Sequence, residues 1–150
     1  MRAVIQRVNK ASVSCDPGYF EEIGPGLLVL LGIEESDNQD DAHWLGNKIL
    51  NLRIFSDNNG LMNLSIQDIK GEFLIISQFT LHASTKKGNR PSFIRAASPD
   101  FALQLYHDFI EIIKEKNGNS VKSGKFGEHM DIALVNSGPV TIIIDTKLKE

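Results

Sequence analysis

A proline set inside what otherwise reads as one long strand constrains this chain more than any other feature. Residues 130–135 and 140–144 are two of the most strand-like runs in the sequence, and Asn136-Ser137-Gly138-Pro139 lies between them. Proline fixes its own φ and lacks the N–H that a sheet ladder needs, so it belongs at a strand start, an edge or a turn. Gly138-Pro139 must therefore take the chain out of the ladder and leave backbone carbonyls without sheet partners. Two readings follow. One is a plain hairpin turn, because Asn, Ser, Gly and Pro are the usual turn residues. The other is a rigid backbone tip aimed at another molecule.

The remaining pattern supplies a frame for that tip. Residues 2–8 alternate, with Val4, Gln6 and Val8 on one face and Ala3, Ile5 and Arg7 on the other. Arg7 thus sits in apolar company, either at an exposed edge or reaching inward to hold a carbonyl with its fixed donors. Residues 11–15 read as a returning strand. Gly24-Pro25-Gly26 opens the continuous apolar run 27–33, the signature of a strand buried on both faces. Ser36 and Gln39 predict a helix start by reciprocal capping, and Ala42, Leu45, Ile49 and Leu52 continue it as a core-facing stripe flanked by a half-buried Trp44. Residues 57–60 are a turn cluster. Residues 72–81 form a second long strand whose apolar first half leads into Ser77, Gln78 and Thr80.

A basic, glycine-containing loop follows at 85–91. Ser98-Pro99-Asp100 then predicts a second helix, with a serine cap, proline in the first turn and an acid beside it. Its stripe is Phe101, Leu105, Phe109 and Ile112, and Gly118 is its expected stop. Residues 121–127 read as another short basic loop. The expected fold is α/β (α+β): a single domain, 1–150, with a curved, barrel-like, mostly antiparallel sheet and two main helices packed on it.

Charge and composition narrow the chemistry. The formal net charge of −3 argues against wrapping a long nucleic-acid duplex, which needs a basic face, but leaves room for a short single-stranded end held by a local basic patch. No apolar run approaches the ~20 residues that span a bilayer, and the first five residues enter a strand pattern directly, without a signal-peptide core. The single cysteine, Cys15, excludes an internal disulfide and reads as an inert thiol in a reducing cytosol. His43, His82, His107 and His129 lack metal-ligand spacing, and neither a GxGxxG nor a P-loop is present. Ser77, His82 and either Asp100 or Asp131 would compose a triad, but nothing around Ser77 makes a nucleophile elbow. The residues by themselves lead to a soluble α/β domain, hydrolase or binding module, working without metal or cofactor.

Ser77-Gln78-Phe79-Thr80-Leu81 together with Asn136-Ser137-Gly138-Pro139-Val140-Thr141 resembles the D-aminoacyl-tRNA deacylases. The likeness extends through the opening Met1-Arg2-Ala3-Val4-Ile5-Gln6-Arg7-Val8, the segment Ile23-Gly24-Pro25-Gly26-Leu27, and Gly88-Asn89-Arg90-Pro91-Ser92-Phe93. The resemblance implies hydrolysis of the ester between a D-amino acid, or glycine, and the 3′-terminal adenosine of tRNA in the cytoplasm. It implies a homodimer in which each subunit inserts a cis Gly138-Pro139 motif into its partner's site. Gly138 and Pro139 would then present carbonyls to the substrate, with Asn136 beside them and Arg7 holding their orientation. Ser77, Gln78, Phe79 and Thr80 would line the opposite wall. A related deacylase with a trans Gly-Pro bond acts on L-aminoacyl esters and lacks the arginine, so Arg7 favours the D-specific branch.

Such a wall would discriminate by sterics, since D and L substrates exchange hydrogen and side chain at the α-carbon. Rejecting L by ~10⁴-fold takes ~5.5 kcal/mol, within reach of a hard clash plus a lost hydrogen bond. A backbone N–H near Phe79 or Thr80 would stabilise the oxyanion. Thr80 has no evident base to activate it, so attack by water, assisted by the substrate's ribose hydroxyl, is the expected chemistry. Lys86, Lys87, Arg90, Lys122 and Lys125 are the candidate contacts to the tRNA end. The rival readings are a non-catalytic tRNA-end-binding module, a hydrolase of small D-amino-acid esters or peptides, and a trans Gly-Pro deacylase of mischarged L-aminoacyl-tRNA.

Overall fold

The computed structural model describes residues 1–117 and 121–149. Its framework is a six-stranded sheet built on β1 (Arg2–Cys15), which pairs antiparallel with β2 (Tyr19–Ile23), with β3 (Gly26–Gly32) and, along most of its length, with β8 (Asp131–Asp145). Beyond β3 the sheet continues in parallel through β6 (Glu72–Ser77) to the short β7 (Val121–Ser123). A small hairpin of β4 (Phe55–Ser56) and β5 (Met62–Leu64) stands apart. Two helices, α1 (Gln39–Leu50) and α2 (Pro99–Asn117), cover one face.

The continuous apolar runs are explained by burial on both sides. Leu27, Val29, Leu31, Phe73 and Ile75 face the helices and pack with Leu45, Ile49, Tyr106 and Phe109. Leu28, Leu74 and Ile76 face the other way, against Val8, Ala11, Val13, Cys15 and Ile23. This second core exists because β2 curls over toward β6 and β7, so that the sheet becomes nearly a closed barrel. Two side-chain bonds hold the closure: Tyr19 Oη donates to the Ser123 carbonyl at 2.6 Å, and Lys122 Nζ meets Glu21 Oε2 at 2.6 Å. The curved, mostly antiparallel sheet with two packed helices is thus present, with β6 and β7 as its parallel members.

Several local expectations change. Residues 11–15 are not a returning strand but the continuation of β1, and the strand that returns is β2. Val8 is buried while Val4 and Gln6 are only half-buried, because register shifts against β8 on both sides of Val8 interrupt the simple alternation. The expected cap of α1 at Ser36 and Gln39 moves two residues on. Asn38 accepts from the amides of Asp40 and Asp41, and Asp41 Oδ2 accepts from the Asn38 amide in return. Phe101 of the α2 stripe is 38% exposed, and Ala102, Leu105 and Phe109 carry the contact instead. Residues 121–127 include a strand rather than forming only a loop. Gly118, the expected helix stop, lies outside the described residues. No helix among those described is long and apolar enough to cross a membrane.

The ends of the sheet are tied by charge. The Met1 ammonium donates to Asp37 and, at 2.6 Å, to Thr146 Oγ1, while Lys147 Nζ bonds Asp41 at 2.8 Å. Burial pushes the Asp41 carboxyl up, but the hydrogen bonds from Lys147, Thr146 and the Asn38 amide outweigh it and hold its pKa below the ordinary value.

The displaced cap makes a direct test. Asn38→Ala removes the acceptor for two leading amides and is expected to cost ~1 kcal/mol, a fall of roughly 2–4 °C in Tm for a domain of this size. Ser36→Ala is expected to leave Tm unchanged. Thermal unfolding of the two variants side by side checks this, and the reverse ranking would return the cap to Ser36.

Candidate active site

Two features carry the residues singled out from sequence. One is a cleft of about 510 Å³ at the carboxyl ends of β3 and β6. Ser77 closes β6 opposite Leu31, and the Gln78 amide continues the pairing by donating to the Leu31 carbonyl at 2.8 Å. The chain then turns sharply into a 3₁₀ helix, Phe79–His82. Gly32 makes room for that turn: a Cβ there would sit 3.0 Å from the Gln78 carbonyl oxygen and 3.0 Å from Leu81 Cβ. The Leu81 amide donates back to the Gln78 carbonyl, which leaves the leading amides of Phe79 and Thr80 without a partner inside the turn.

Ser77, Gln78 and Phe79 line the cleft; Thr80, exposed, stands on the turn beside them. Gln78 Nε2 donates to Thr80 Oγ1, so the threonine hydroxyl acts there as an acceptor and keeps its own hydrogen for another partner. The other walls come from residues that sequence reasoning did not single out as site residues. Phe93 meets Phe79 edge-on with ring centroids 5.0 Å apart, and Ala96, Ala97 and Ala102 continue that side. Phe126, Gly127, Glu128, His129 and Met130 form the facing side. No local pattern marks this last segment, since it reaches the cleft only through the path of β7 into β8.

Among the described residues, Glu128 and His129 are the ionisable ones that line the cleft. His82, proposed as a triad member, is buried, and neither of its ring nitrogens has a hydrogen-bond partner among the described residues. It therefore bonds neither Ser77 nor Asp100 or Asp131, and the Ser-His-Asp arrangement does not form. The basic loop is closed by reciprocal Ser84–Ser92 backbone bonds at 2.8 and 2.9 Å and carries exposed Lys86, Lys87 and Arg90 out beside Phe93. Lys125 lies over the Tyr19 ring at 5.1 Å. Lys122 is engaged by Glu21, whose hydrogen bond and charge raise the lysine's pKa.

The second feature is the Gly138-Pro139 segment. It is not a hairpin. Both of its flanking runs belong to β8 and pair with the same partner, β1. Val8 pairs with Asn136 and Gln6 with Thr141, so the one residue Arg7 stands opposite the four residues Ser137, Gly138, Pro139 and Val140. The segment is a wide bulge that leaves the ladder and re-enters it in the same direction. Gly138 has φ 129° and the Gly138–Pro139 peptide is cis. The left-handed region disfavours any side chain at Gly138, and a Cβ there would lie 2.8 Å from Arg7 Nη2 and 2.9 Å from Val140 Cγ2.

Arg7 does reach inward to main chain. Its Nε donates to the Ser137 carbonyl at 3.0 Å and its Nη1 to the Ile54 carbonyl. Asn136 closes the neck of the bulge, its Oδ1 accepting from the Val140 amide at 2.9 Å. The residues named from sequence thus fall into two groups. Arg7, Asn136, Gly138 and Pro139 meet at the bulge; Ser77, Gln78 and Phe79 meet at the cleft, whose lining includes none of the bulge residues.

Comparison with known proteins places the chain in a family. The family model described as D-Tyr-tRNA(Tyr) deacylase matches residues 4–145. The chain belongs to that deacylase family. A curated relative from Flavobacterium psychrophilum, named D-aminoacyl-tRNA deacylase, is 55% identical over 150 residues, covering 100% of both chains. Among solved structures, one titled c-Myc DNA Unwinding Element Binding Protein has a TM-score of 0.89 at 40% identity, covering 97% of this chain and 98% of its own. Another, titled as a probable eukaryotic D-amino acid tRNA deacylase, has a TM-score of 0.81 at 16% identity, covering 95% and 97%, a likeness of fold.

Proposed function

We propose that this chain hydrolyses D-aminoacyl-tRNA with a gate made of main chain, working between two subunits in the cytoplasm. The enzyme is a D-aminoacyl-tRNA deacylase: water adds to the ester carbonyl, the bond to the 3′-terminal ribose breaks, and free D-amino acid and tRNA leave. The observation that carries the gate is the bulge. Four residues project from a paired strand, tethered by Arg7 and Asn136, and offer carbonyls where most sites offer side chains.

The chemistry fits a site poor in acids and bases. The cleft beside Ser77, Gln78 and Phe79 has no nucleophile hydrogen-bonded to a base among the described residues. The leading amides of Phe79 and Thr80 suit a developing oxyanion, a role worth ~3–4 kcal/mol in other hydrolases. The ribose hydroxyl next to the ester then assists the attacking water. The carbonyls of Gly138 and Pro139 occupy the space that an L side chain would need and accept from the substrate amino group. A D side chain points away, and glycine, having none, passes.

Dimerisation is what brings the two features together in this reading. In its own chain the bulge stays outside the cleft's lining, which supports a second copy as the source of the Gly138-Pro139 tip. The acceptor end of tRNA then runs past Lys86, Lys87 and Arg90, with Lys125 on the facing side. Lys122 joins them by exchanging Glu21 for a phosphate.

Three measurements test the reading. Release of D-Tyr, L-Tyr and Gly from matched aminoacyl-tRNAs is expected to be fast for D-Tyr and Gly and slower by orders of magnitude for L-Tyr. Equal D and L rates, preferential L hydrolysis, or binding of uncharged tRNA without hydrolysis would each defeat it. Thr80→Ala is expected to keep most of the single-turnover rate; a loss beyond ~10²-fold would make the hydroxyl a general acid–base or nucleophilic group. Lys86→Gln combined with Arg90→Gln is expected to raise KM and flatten its salt dependence, since each phosphate contact contributes close to one unit of slope. An unchanged slope would remove that loop from the interface.

A further inference from the structure

We propose that Gln6 is a positioning residue for the gate, acting as the acceptor that sets the direction of the Pro139 carbonyl. The inference rests on the gate reading above and identifies what aims it.

Gln6 and Val8 are the β1 residues on either side of the bulge, paired with Thr141 and Asn136 respectively. Gln6 Oε1 accepts from Asn136 Nδ2 and, at 3.4 Å, from Thr141 Oγ1, while Asn136 Nδ2 also donates to Thr141 Oγ1 at 3.1 Å. These three side chains close a ring across the neck. The asparagine amide has two hydrogens and shares them among Gln6, Thr141 and, at 3.5 Å, the Val140 carbonyl, and the hydroxyl passes its own to Gln6. Gln6 is the acceptor of two of the three bonds.

An asparagine amide has two faces of nearly equal shape, and its hydrogen bonds decide which way it points. With Nδ2 drawn toward Gln6 and Thr141, Oδ1 must face the opposite way, where it accepts from the Val140 amide at 2.9 Å. That N–H and the Pro139 carbonyl belong to one planar trans peptide unit, so their directions are opposed and cannot be set separately. Holding the Val140 N–H inward therefore turns the Pro139 carbonyl outward. Arg7 restrains the other side of the bulge, donating to the Ser137 carbonyl and to the Ile54 carbonyl. Loss of the Gln6 acceptor leaves the Asn136 amide held only through Thr141 and the long bond to the Val140 carbonyl, and the outward carbonyl is less firmly directed.

The experiment compares Gln6→Leu, Gln6→Glu and Thr141→Val with the unmodified full chain. Single-turnover release of D-Tyr and L-Tyr from matched tRNAs is measured together with Tm and the ¹⁵N-detected side-chain amide signals of Asn136. Gln6→Leu is expected to lower the D/L ratio about tenfold, the effect of losing one well-made hydrogen bond, and to move the Asn136 amide signals. Gln6→Glu keeps an acceptor oxygen and is expected to restore the ratio to within about threefold. Thr141→Val is expected to lower the ratio by less. A folded Gln6→Leu variant with an unchanged ratio overturns the proposal, and so does an equal fall in Gln6→Glu. A purely structural role would lower Tm and both rates together without moving the ratio, which also overturns it. Should Gln6→Leu fail to fold, Thr141→Val decides, a wild-type ratio counting against the proposal. Wild-type protein that treats D and L alike ends the gate reading and this proposal with it; a discriminating wild type beside an unaffected Gln6→Leu ends this proposal alone.

Discussion

The antiparallel ladder between β1 and β8 is the interaction on which the rest of the molecule depends. It runs along nearly the whole of both strands, yet it is interrupted where Arg7 faces Ser137 through Val140. A ladder that resumes in the same direction after an interruption anchors the excluded residues at both ends. That is a stiffer mounting than a hairpin tip, whose strands are free to splay. Val140 packs against the main core, and hydrogen bonds hold the rest of the bulge: Arg7 to the Ser137 carbonyl, Asn136 to the Val140 amide, and the ring through Gln6 and Thr141. The same ladder supports both cores, with Ala3 and Ile5 turned to the helices and Val8, Ala11 and Val13 to the barrel interior.

What could be read from the sequence follows the range of the forces involved. Periodicity is local, so the apolar strand at 27–33, the first part of the strand expected at 72–81 and the stripe through Ala42, Leu45 and Ile49 were legible, whereas β6 ends at Ser77 ahead of the 3₁₀ turn and Leu52 falls beyond α1. The Gly138-Pro139 break was legible as a departure from the ladder, because proline forbids pairing wherever it stands. Its nature as a bulge was not. Whether two flanking runs pair with each other or with a common third strand is a non-local fact, and nothing within residues 130–144 encodes it. The α1 cap was misplaced for a different reason: Ser36 and Asn38 both offer capping side chains, and the two-residue choice is decided by where the chain leaves β3. Phe93 and the segment at 126–130 reached the site from distant parts of the chain without any chemical signature. Lys122 read as a free cation until its partner Glu21 was brought across from β2 by closure of the barrel.

The proposed site differs from most hydrolytic sites in where its polar groups come from. Ser77 and Gln78 end a parallel strand, and the 3₁₀ turn after them presents amides rather than acids. Directed main-chain groups do not change charge with pH and carry no rotamers. His82, which closes the turn, is buried, and neither of its ring nitrogens has a hydrogen-bond partner among the described residues. Family membership names the reaction, and the geometry explains why so few ionisable groups surround it.

The pairing of Arg2 with Asp145 and of Ser14 with Asp131 also bears on how the protein is made. β1 leaves the ribosome well before β8, its longest partner. During synthesis β1 can meet only β2 and β3, which leaves its other edge open to stray pairing until β8 arrives. Closing so long a loop is slow compared with forming the helices. The bulge can consequently form only once β8 has been made and paired with β1.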